Sequence, residues 1–102
     1  MQQATALIAQ FTTNRDFEDY LTDPMFHAAV ERQFEIIGEA MSKLARLNPA
    51  LAAQITEYQG IIGLRNRLIH GYAIIDDGLV WEIIQKKLPT LRRELDDLLN
   101  EP

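Results

Sequence analysis

The stretch DPMFHAAVERQFEIIGEAMSKLARLNP, residues 23–49, decides the fold class. Asp followed by Pro at its start is typical of a helix N-cap with proline at the first helical position. Asn followed by Pro at its end stops a helix, because the residue before a proline is pushed out of the α region. Between these signals, apolar residues recur at spacings of three and four and form one stripe: Phe26, Val30, Phe34, Ile37, Met41 and Leu44. The stretch therefore predicts a long amphipathic helix with one buried face.

Helical patterns continue on both sides of this helix. The further helices predicted by spacing and end signals cover residues 2–11, 16–21, 49–55, 57–70 and 79–100. Gly71 is a natural residue to follow the fourth of these, and Pro89 should kink or split the last. No strand-like alternation of useful length occurs. We therefore expect one all-α domain over residues 1–102, a four- to five-helix up-and-down bundle.

The composition excludes several classes of protein. Apolar residues make up 47% of the chain, which is too much for a disordered protein. The absence of cysteine excludes a disulfide framework and a thiolate metal site. Two histidines are too few for a typical multi-histidine zinc site, so we expect neither a metal nor a cofactor. The sequence has neither an apolar run of membrane-spanning length nor the pattern of a leader peptide, which predicts a cytoplasmic protein without a membrane partner.

The charge is unevenly distributed along the chain. The net charge of −5 argues against a protein that coats nucleic acid generally. Residues 65–93, however, hold six basic and three acidic side chains, whereas the segments before and after them are acidic. The positive segment begins at the most informative motif of the chain.

That motif is Arg65-Asn66-Arg67-Leu68-Ile69-His70-Gly71-Tyr72. An arginine holds phosphate through a fork of N–H donors, and a histidine moves protons near neutral pH. A phosphate clamp beside a proton shuttle is the minimum requirement for metal-free cleavage of RNA. In this hypothesis His70 is the general base and Arg65 stabilises the phosphoryl charge. Asn66 orients His70 or binds a phosphate, and Tyr72 stacks on a base or contacts the same phosphate.

The spacing of the motif leaves two geometries open. At 100° per residue, His70 lies about 140° from Arg65, so the two side chains do not share a face of a regular helix. Either the helix loosens before Gly71 and turns His70 round, or Arg65 and His70 meet across a dimer interface. A homodimer is also favoured by apolar residues outside the main stripes, which predict an exposed apolar strip: Phe11, Phe17, Tyr20, Met25, Trp81 and Ile83.

Structural interpretations of the same residues stand beside the catalytic one. His70 in a last helical turn interacts favourably with the helix dipole, and Tyr72 fits an ordinary core or interface position. Glu39 in the long helix is either an active-site acid or a solvent-facing residue. His27 has no partner signal in the sequence, and we interpret it as structural or surface.

Three blocks of the chain resemble one known family. The segment GLRNRLIHGY at 63–72 resembles the signature of HEPN domains, and more narrowly of the HepT-like branch. The upstream block EIIGEA at 35–40 and the downstream block VWEII at 80–84, followed by Leu88-Pro89, are similar to further blocks of that branch in the same order. The predicted N-terminal helix is shorter than is usual in the family.

The resemblance implies a helical homodimer, or a higher oligomer, that acts as a metal-independent endoribonuclease toxin with its Arg and His at the dimer cleft. It implies an antitoxin partner, a nucleotidyltransferase of the MntA type that transfers AMP to the motif tyrosine, here Tyr72. It also implies RNA as the substrate, with transfer RNA as one target class. Two alternatives remain open at this stage: a non-catalytic module that binds a nucleotide or a nucleotidyltransferase, and a plain helical dimerisation domain.

Overall fold

The computed structural model describes residues 1–71 and 75–100. Within these residues it is helical without strands, which confirms the all-α prediction. The helices are α1 (Gln2–Thr12), α2 (Phe17–Thr22), α3 (Pro24–Leu47), α4 (Pro49–Ala52), α5 (Tyr58–His70), α6 (Asp77–Glu82), a π-helical segment (Ile83–Lys87) and α7 (Leu88–Leu99). No helix among the described residues is long and apolar enough to cross a membrane.

The predicted ends of the central helix α3 are confirmed. The Asp23 side chain accepts hydrogen bonds from the backbone N–H groups of Met25 and Phe26, both at 3.1 Å, which satisfies donors that a helix start leaves free. Asn48 ends α3 in a non-helical conformation and caps α4 through Leu51 N–H. The α4 helix is shorter than predicted and ends at Ala52. Local end signals therefore define α3 as a continuous rod on which the rest of the fold is built.

The core surrounds the apolar stripe of α3. Val30, Ile37 and Met41 are completely buried, as is Ile8 of α1. The helix α1 packs against both α3 and α7, while α5 packs along another side of α3. The apolar stripe that the sequence predicted is therefore the one that the core uses.

The prediction of an exposed apolar strip is wrong for some of its residues. Tyr20 is completely buried, and its ring packs against those of Phe26 and Trp81 at centroid separations of 5.8 and 5.6 Å. Phe17 lies 6.1 Å from Trp81, at the edge of the same aromatic cluster. These residues lie off the α3 stripe because they form a second apolar contact, which joins α2 to α3 and α6. Met25 is the member of the predicted strip that is largely exposed, at 82%.

Pro89 is accommodated by a change of helix type. It lies at the start of α7, where its missing N–H costs no hydrogen bond. The preceding π-helical segment widens one turn, and Leu88 N–H there bonds to the carbonyl of Ile83, five residues back. The predicted last helix is thus divided in two without a loop.

Two polar contacts fix the beginning of α5 to the C-terminal helices. The Lys87 ammonium lies 2.6 Å from Glu57 Oε2, next to the first residue of α5. The Glu94 carboxylate of α7 accepts hydrogen bonds from the backbone N–H and the hydroxyl of Thr56, the latter at 2.9 Å. These contacts hold the turn between α4 and α5, where Glu57 adopts a left-handed conformation with φ 60°.

Candidate active site

The helix α5 presents the predicted motif. It runs from Tyr58 to His70 and ends at Gly71, whose left-handed φ of 62° matches the glycine that commonly follows a helix. Gly71 N–H bonds to the carbonyl of Arg67 at 3.1 Å, so the last turn is closed. Because α5 stays helical through His70, the alternative in which the helix loosens before Gly71 is wrong. Within one chain, Arg65 and His70 point about 140° apart around α5.

Arg65 lies between α5 and α3. Its Nε is buried and has no hydrogen-bond partner among the described residues, while its Nη1 donates to Asn66 Oδ1 at 3.0 Å. Asn66 is thus a hydrogen-bonded neighbour of the arginine, and its expected role in orienting His70 or binding a phosphate stays a prediction. The guanidinium is therefore held partly inside the helix interface.

The remaining predicted site residues are spread more widely. His70 is exposed at the last position of α5. Glu39 is exposed on α3, and within the described part of the chain no hydrogen bond or ion pair joins it to Arg65. Tyr72 lies outside the described residues. The structure thus brings Arg65 and Asn66 together and places His70 on another face of the same helix.

The two arginines of α5 lack a carboxylate partner, a property that four of the other eight lysines and arginines share within the described part of the chain. Within residues 1–71 and 75–100, neither Arg65 nor Arg67 forms an ion pair with a carboxylate, whereas Arg15, Arg32, Lys86 and Lys87 each do. An arginine without a carboxylate partner keeps its N–H donors available for an external anion, and a phosphate fits the guanidinium fork well. The local charge of α5 is therefore suited to a phosphate backbone.

An apolar groove runs beside α5, between that helix and the C-terminal helices. Its volume is about 610 Å³, and its lining includes Phe34 and Ile37 of α3, Ile61 and Leu64 of α5, and Ile83 and Leu88. Arg67 and Lys86 also border this α5 groove, as do Glu57 and Glu94. Among the described residues, α5 itself has no fully buried side chain. The helix that presents the motif therefore packs on the core through side chains that are only partly buried.

His27 is a feature that the sequence did not show. Its Nδ1 lies 2.9 Å from Glu31 Oε1, and its Nε2 lies 2.8 Å from Asp77 Oδ1. The ring also stacks on Tyr20, with a centroid separation of 4.4 Å. A neutral imidazole has one N–H, so the doubly protonated ring is the form that donates to both carboxylates. His27 therefore has a structural role, because its contacts link α6 to α3.

The tyrosine beneath His27 lies in the same cluster. Burial raises the pKa of the Tyr20 phenol above its usual range, and the carboxylates of Glu31 and Asp77 raise it further. Its hydroxyl has no hydrogen-bond partner among the described residues. Tyr20 therefore stays neutral and contributes through packing.

Comparison with known proteins identifies the family of the chain. The family model described as ribonuclease HepT-like matches residues 1–98, which is nearly the whole chain. The chain belongs to the HepT-like ribonuclease family.

Several relatives of this HepT-like chain cover most of its length. A candidate RNase of Caldanaerobacter subterraneus subsp. tengcongensis is 33% identical over 85 residues, which is 83% of this chain and 75% of the relative. A candidate ribonuclease HepT of Thermococcus cleftensis is 32% identical over 100 residues, 94% of this chain and 86% of the relative. A candidate RNase of Methanocaldococcus jannaschii is 33% identical over 89 residues, 87% of this chain and 81% of the relative. No solved structure matches the chain.

Membership of the HepT-like family makes this chain an RNA-cleaving enzyme by class. Within the described residues, no cluster of three or more His, Asp or Glu side chains has the geometry of a metal site.

Proposed function

We propose that this protein is a metal-independent endoribonuclease toxin whose active site is completed by a second copy of the chain. The observation that carries the proposal is the arrangement of Arg65 and His70. Arg65 has no carboxylate partner among the described residues, and His70 is exposed on the same helix but about 140° away. Both groups suit phosphodiester chemistry, and one chain alone does not direct them at one atom.

The mechanism assigns one task to each group. His70 removes the proton from a ribose 2′-hydroxyl, whose oxygen then attacks the adjacent phosphorus. Arg65 stabilises the negative charge that develops on the phosphoryl oxygens. The second imidazole of the dimer, or water, protonates the departing 5′-oxygen. DNA is spared because it lacks the 2′-hydroxyl that acts as the nucleophile.

A two-fold dimer about α5 resolves the separation of the two groups. In such a dimer, the Arg65 face of one protomer meets the His70 face of the other, and the cleft holds two copies of each. The α5 groove supports this proposal because it is apolar and open, and because Ile69 and Leu79 are each 43% exposed near the ends of its flanking helices. Its border contains both cations and carboxylates, which can pair across a two-fold axis.

The family also suggests how the activity of this site is regulated. We propose that a nucleotidyltransferase antitoxin of the MntA type transfers AMP to Tyr72, two residues after His70. Each AMP adds negative charge and bulk where the RNA phosphate must bind, so the modified enzyme is silent. Transfer RNA is the substrate class that we propose to test first, with the cytoplasm as the site of action.

The first test is a cleavage assay on total RNA and purified transfer RNA in the presence of EDTA. Wild-type protein should cut, and folded His70→Ala should not. RNA that stays intact with wild-type protein shown by mass to be free of AMP would contradict the nuclease and favour a non-catalytic nucleotide- or partner-binding module.

The composite cleft has its own test, a mixture of two inactive variants. Arg65→Ala retains His70, and His70→Ala retains Arg65, so a heterodimer contains one complete site. Co-refolding equal amounts should restore roughly a quarter of wild-type activity, because half of the dimers are mixed and each has one of two sites. A site built within one chain would restore nothing. Re-mixing two samples of the same variant is the control.

A further inference from the structure

Gly38 occupies an unusual position, in the middle of the 24-residue helix α3. Glycine within a helix costs roughly 1 kcal/mol relative to alanine because it loses more backbone freedom on folding. The residue is buried, and it shows no positive φ that would require glycine. Its presence therefore needs a reason in packing.

The reason is Arg65. A Cβ added to Gly38 would lie 2.1 Å from Arg65 Cβ and 2.8 Å from Arg65 Cγ, and 3.1 Å from the carbonyl oxygen of Ile61. Carbon atoms in contact normally lie about 3.5–4.0 Å apart, so α3 and α5 would have to separate by roughly 1.5 Å. The space that a side chain at position 38 would fill is occupied by the aliphatic stem of the arginine.

Other glycines of the chain show that this contact is specific. Gly60 and Gly63 lie on α5 itself, and a Cβ added at either meets nothing within 4 Å. A methyl group at Gly60 or Gly63 thus meets no neighbour, whereas one at Gly38 meets Arg65 where α5 packs on α3. At that point the stem enters the interface and buries Nε, while Nη1 is held by Asn66.

We propose that Gly38 is a positioning residue that sets where the Arg65 guanidinium emerges from the α3–α5 interface. The inference rests on the proposed function, in which Arg65 stabilises the reacting phosphate. Gly38 acts through Arg65 and does not touch the substrate. Since a misplacement of about 1 Å in an active site can cost roughly a hundredfold in rate, Gly38→Ala should lower RNA cleavage by about that factor.

The position of Arg65 can be measured without any cleavage. In a ¹H–¹⁵N spectrum of arginine Nε–H groups, the buried Nε of Arg65 should give a signal protected from exchange, assigned by its loss in Arg65→Lys. Gly38→Ala should shift this signal and remove its protection. Gly60→Ala also adds one methyl group to a helix, and it should leave the signal in place.

Cleavage is then compared with a variant that is destabilised elsewhere. Leu95→Ala removes buried side-chain volume from α7 and should lower the melting temperature while keeping cleavage at temperatures where the chain is folded. Gly38→Ala should instead lower kcat in the folded protein. An unchanged Nε–H signal with unchanged kcat would overturn the proposal.

A second variant keeps the test decisive if Gly38→Ala folds poorly. Arg65→Gly removes the Cβ and Cγ atoms that the new methyl group would contact. Gly38→Ala should therefore lower the melting temperature much less in the Arg65→Gly variant than in the wild-type protein. An equal cost in both backgrounds would contradict the assignment. Failure of wild-type protein to cut RNA would instead contradict the proposed function, and the spectrum would still report whether Gly38 positions Arg65.

Discussion

The two histidines of this chain lie in opposite kinds of surroundings. His27 is half-buried, stacked on Tyr20 and within 2.9 Å of two carboxylates on α3 and α6. His70 is exposed at the end of α5, a helix that has no fully buried residue among those described. A histidine committed to two carboxylates holds helices together, whereas a histidine at an uncovered helix end can reach a substrate. The surroundings of the two histidines therefore distinguish their roles, which the residue type alone does not.

The largest expected difference between the two histidines is in cleavage. His70→Ala should reduce RNA cleavage by a hundredfold or more, about the contribution of a general base. His27→Ala should stay within about twofold of wild type when assayed well below its melting temperature, because His27 holds helices and takes no part in proton transfer. Cleavage rates at several temperatures, with circular dichroism to confirm folding, separate the two. Comparable losses in both variants would break the comparison.

The next difference is in stability, with the order reversed. His27→Phe keeps a ring for stacking on Tyr20 but leaves Glu31 and Asp77 without their donor. Hydrogen bonds to charged groups contribute about 1.5–3 kcal/mol, so the free energy of unfolding should fall by about 2 kcal/mol. For a domain of this size that corresponds to a melting temperature lower by roughly 10 °C. Thermal denaturation of His27→Phe and of the matched variant His70→Phe measures the difference between the two positions.

These contrasts show which features of the fold and of the site can be predicted from the sequence. Asp23-Pro24, Asn48-Pro49 and Gly71 act on neighbouring backbone groups, so the helix ends were predictable from a few letters. The contact between His27 and Asp77 joins residues 50 positions apart, and no local pattern encodes it. The role of Gly38 could not be predicted either, because Arg65, the residue that requires a glycine there, lies on another helix. The motif itself was found in sequence, but the burial of Arg65 and its contact with Asn66 required the fold.

A smaller effect is expected at Tyr20, on the His27 side of the comparison. Its hydroxyl is buried without a partner among the described residues, so Tyr20→Phe should be neutral or stabilise the fold by up to about 1 kcal/mol. The folded pKa of Tyr20 lies above that of the unfolded chain. Its stabilising effect is thus complete below the unfolded value, near 10, and declines as the pH rises above it. Melting curves between pH 8 and 11 should decline less for Tyr20→Phe, and an equal decline would contradict the buried, neutral phenol.

The smallest effect is expected at Asp23, where α3 begins. The backbone N–H of Phe26, and then Arg15, hold the pKa of Asp23 below its ordinary value. Its stabilising effect is therefore present above the unfolded value, near 3.9, and is lost as the pH falls through the lower folded value. Asn also caps helices well, so Asp23→Asn should match wild type in melting temperature near neutral pH at high salt. Below pH 4 the variant should lose less stability than wild type, and parallel acid curves would count against the shift.

The π-helical segment at residues 83–87 has a consequence for insertions and deletions. A π-helical turn is equivalent to an α-helix that contains one additional residue, and each residue of an α-helix turns the chain by about 100°. Deleting one residue there would convert the wide turn to an ordinary α-helical turn and leave α6 and α7 in their present relative rotation, whereas a regular α-helix of unchanged length would rotate one against the other by about that angle. Asp77 would then turn away from His27, and Trp81 away from the aromatic cluster. The wide turn thus keeps two apolar faces in register on one nearly continuous rod, and it is the place where the C-terminal helices should tolerate the loss of one residue.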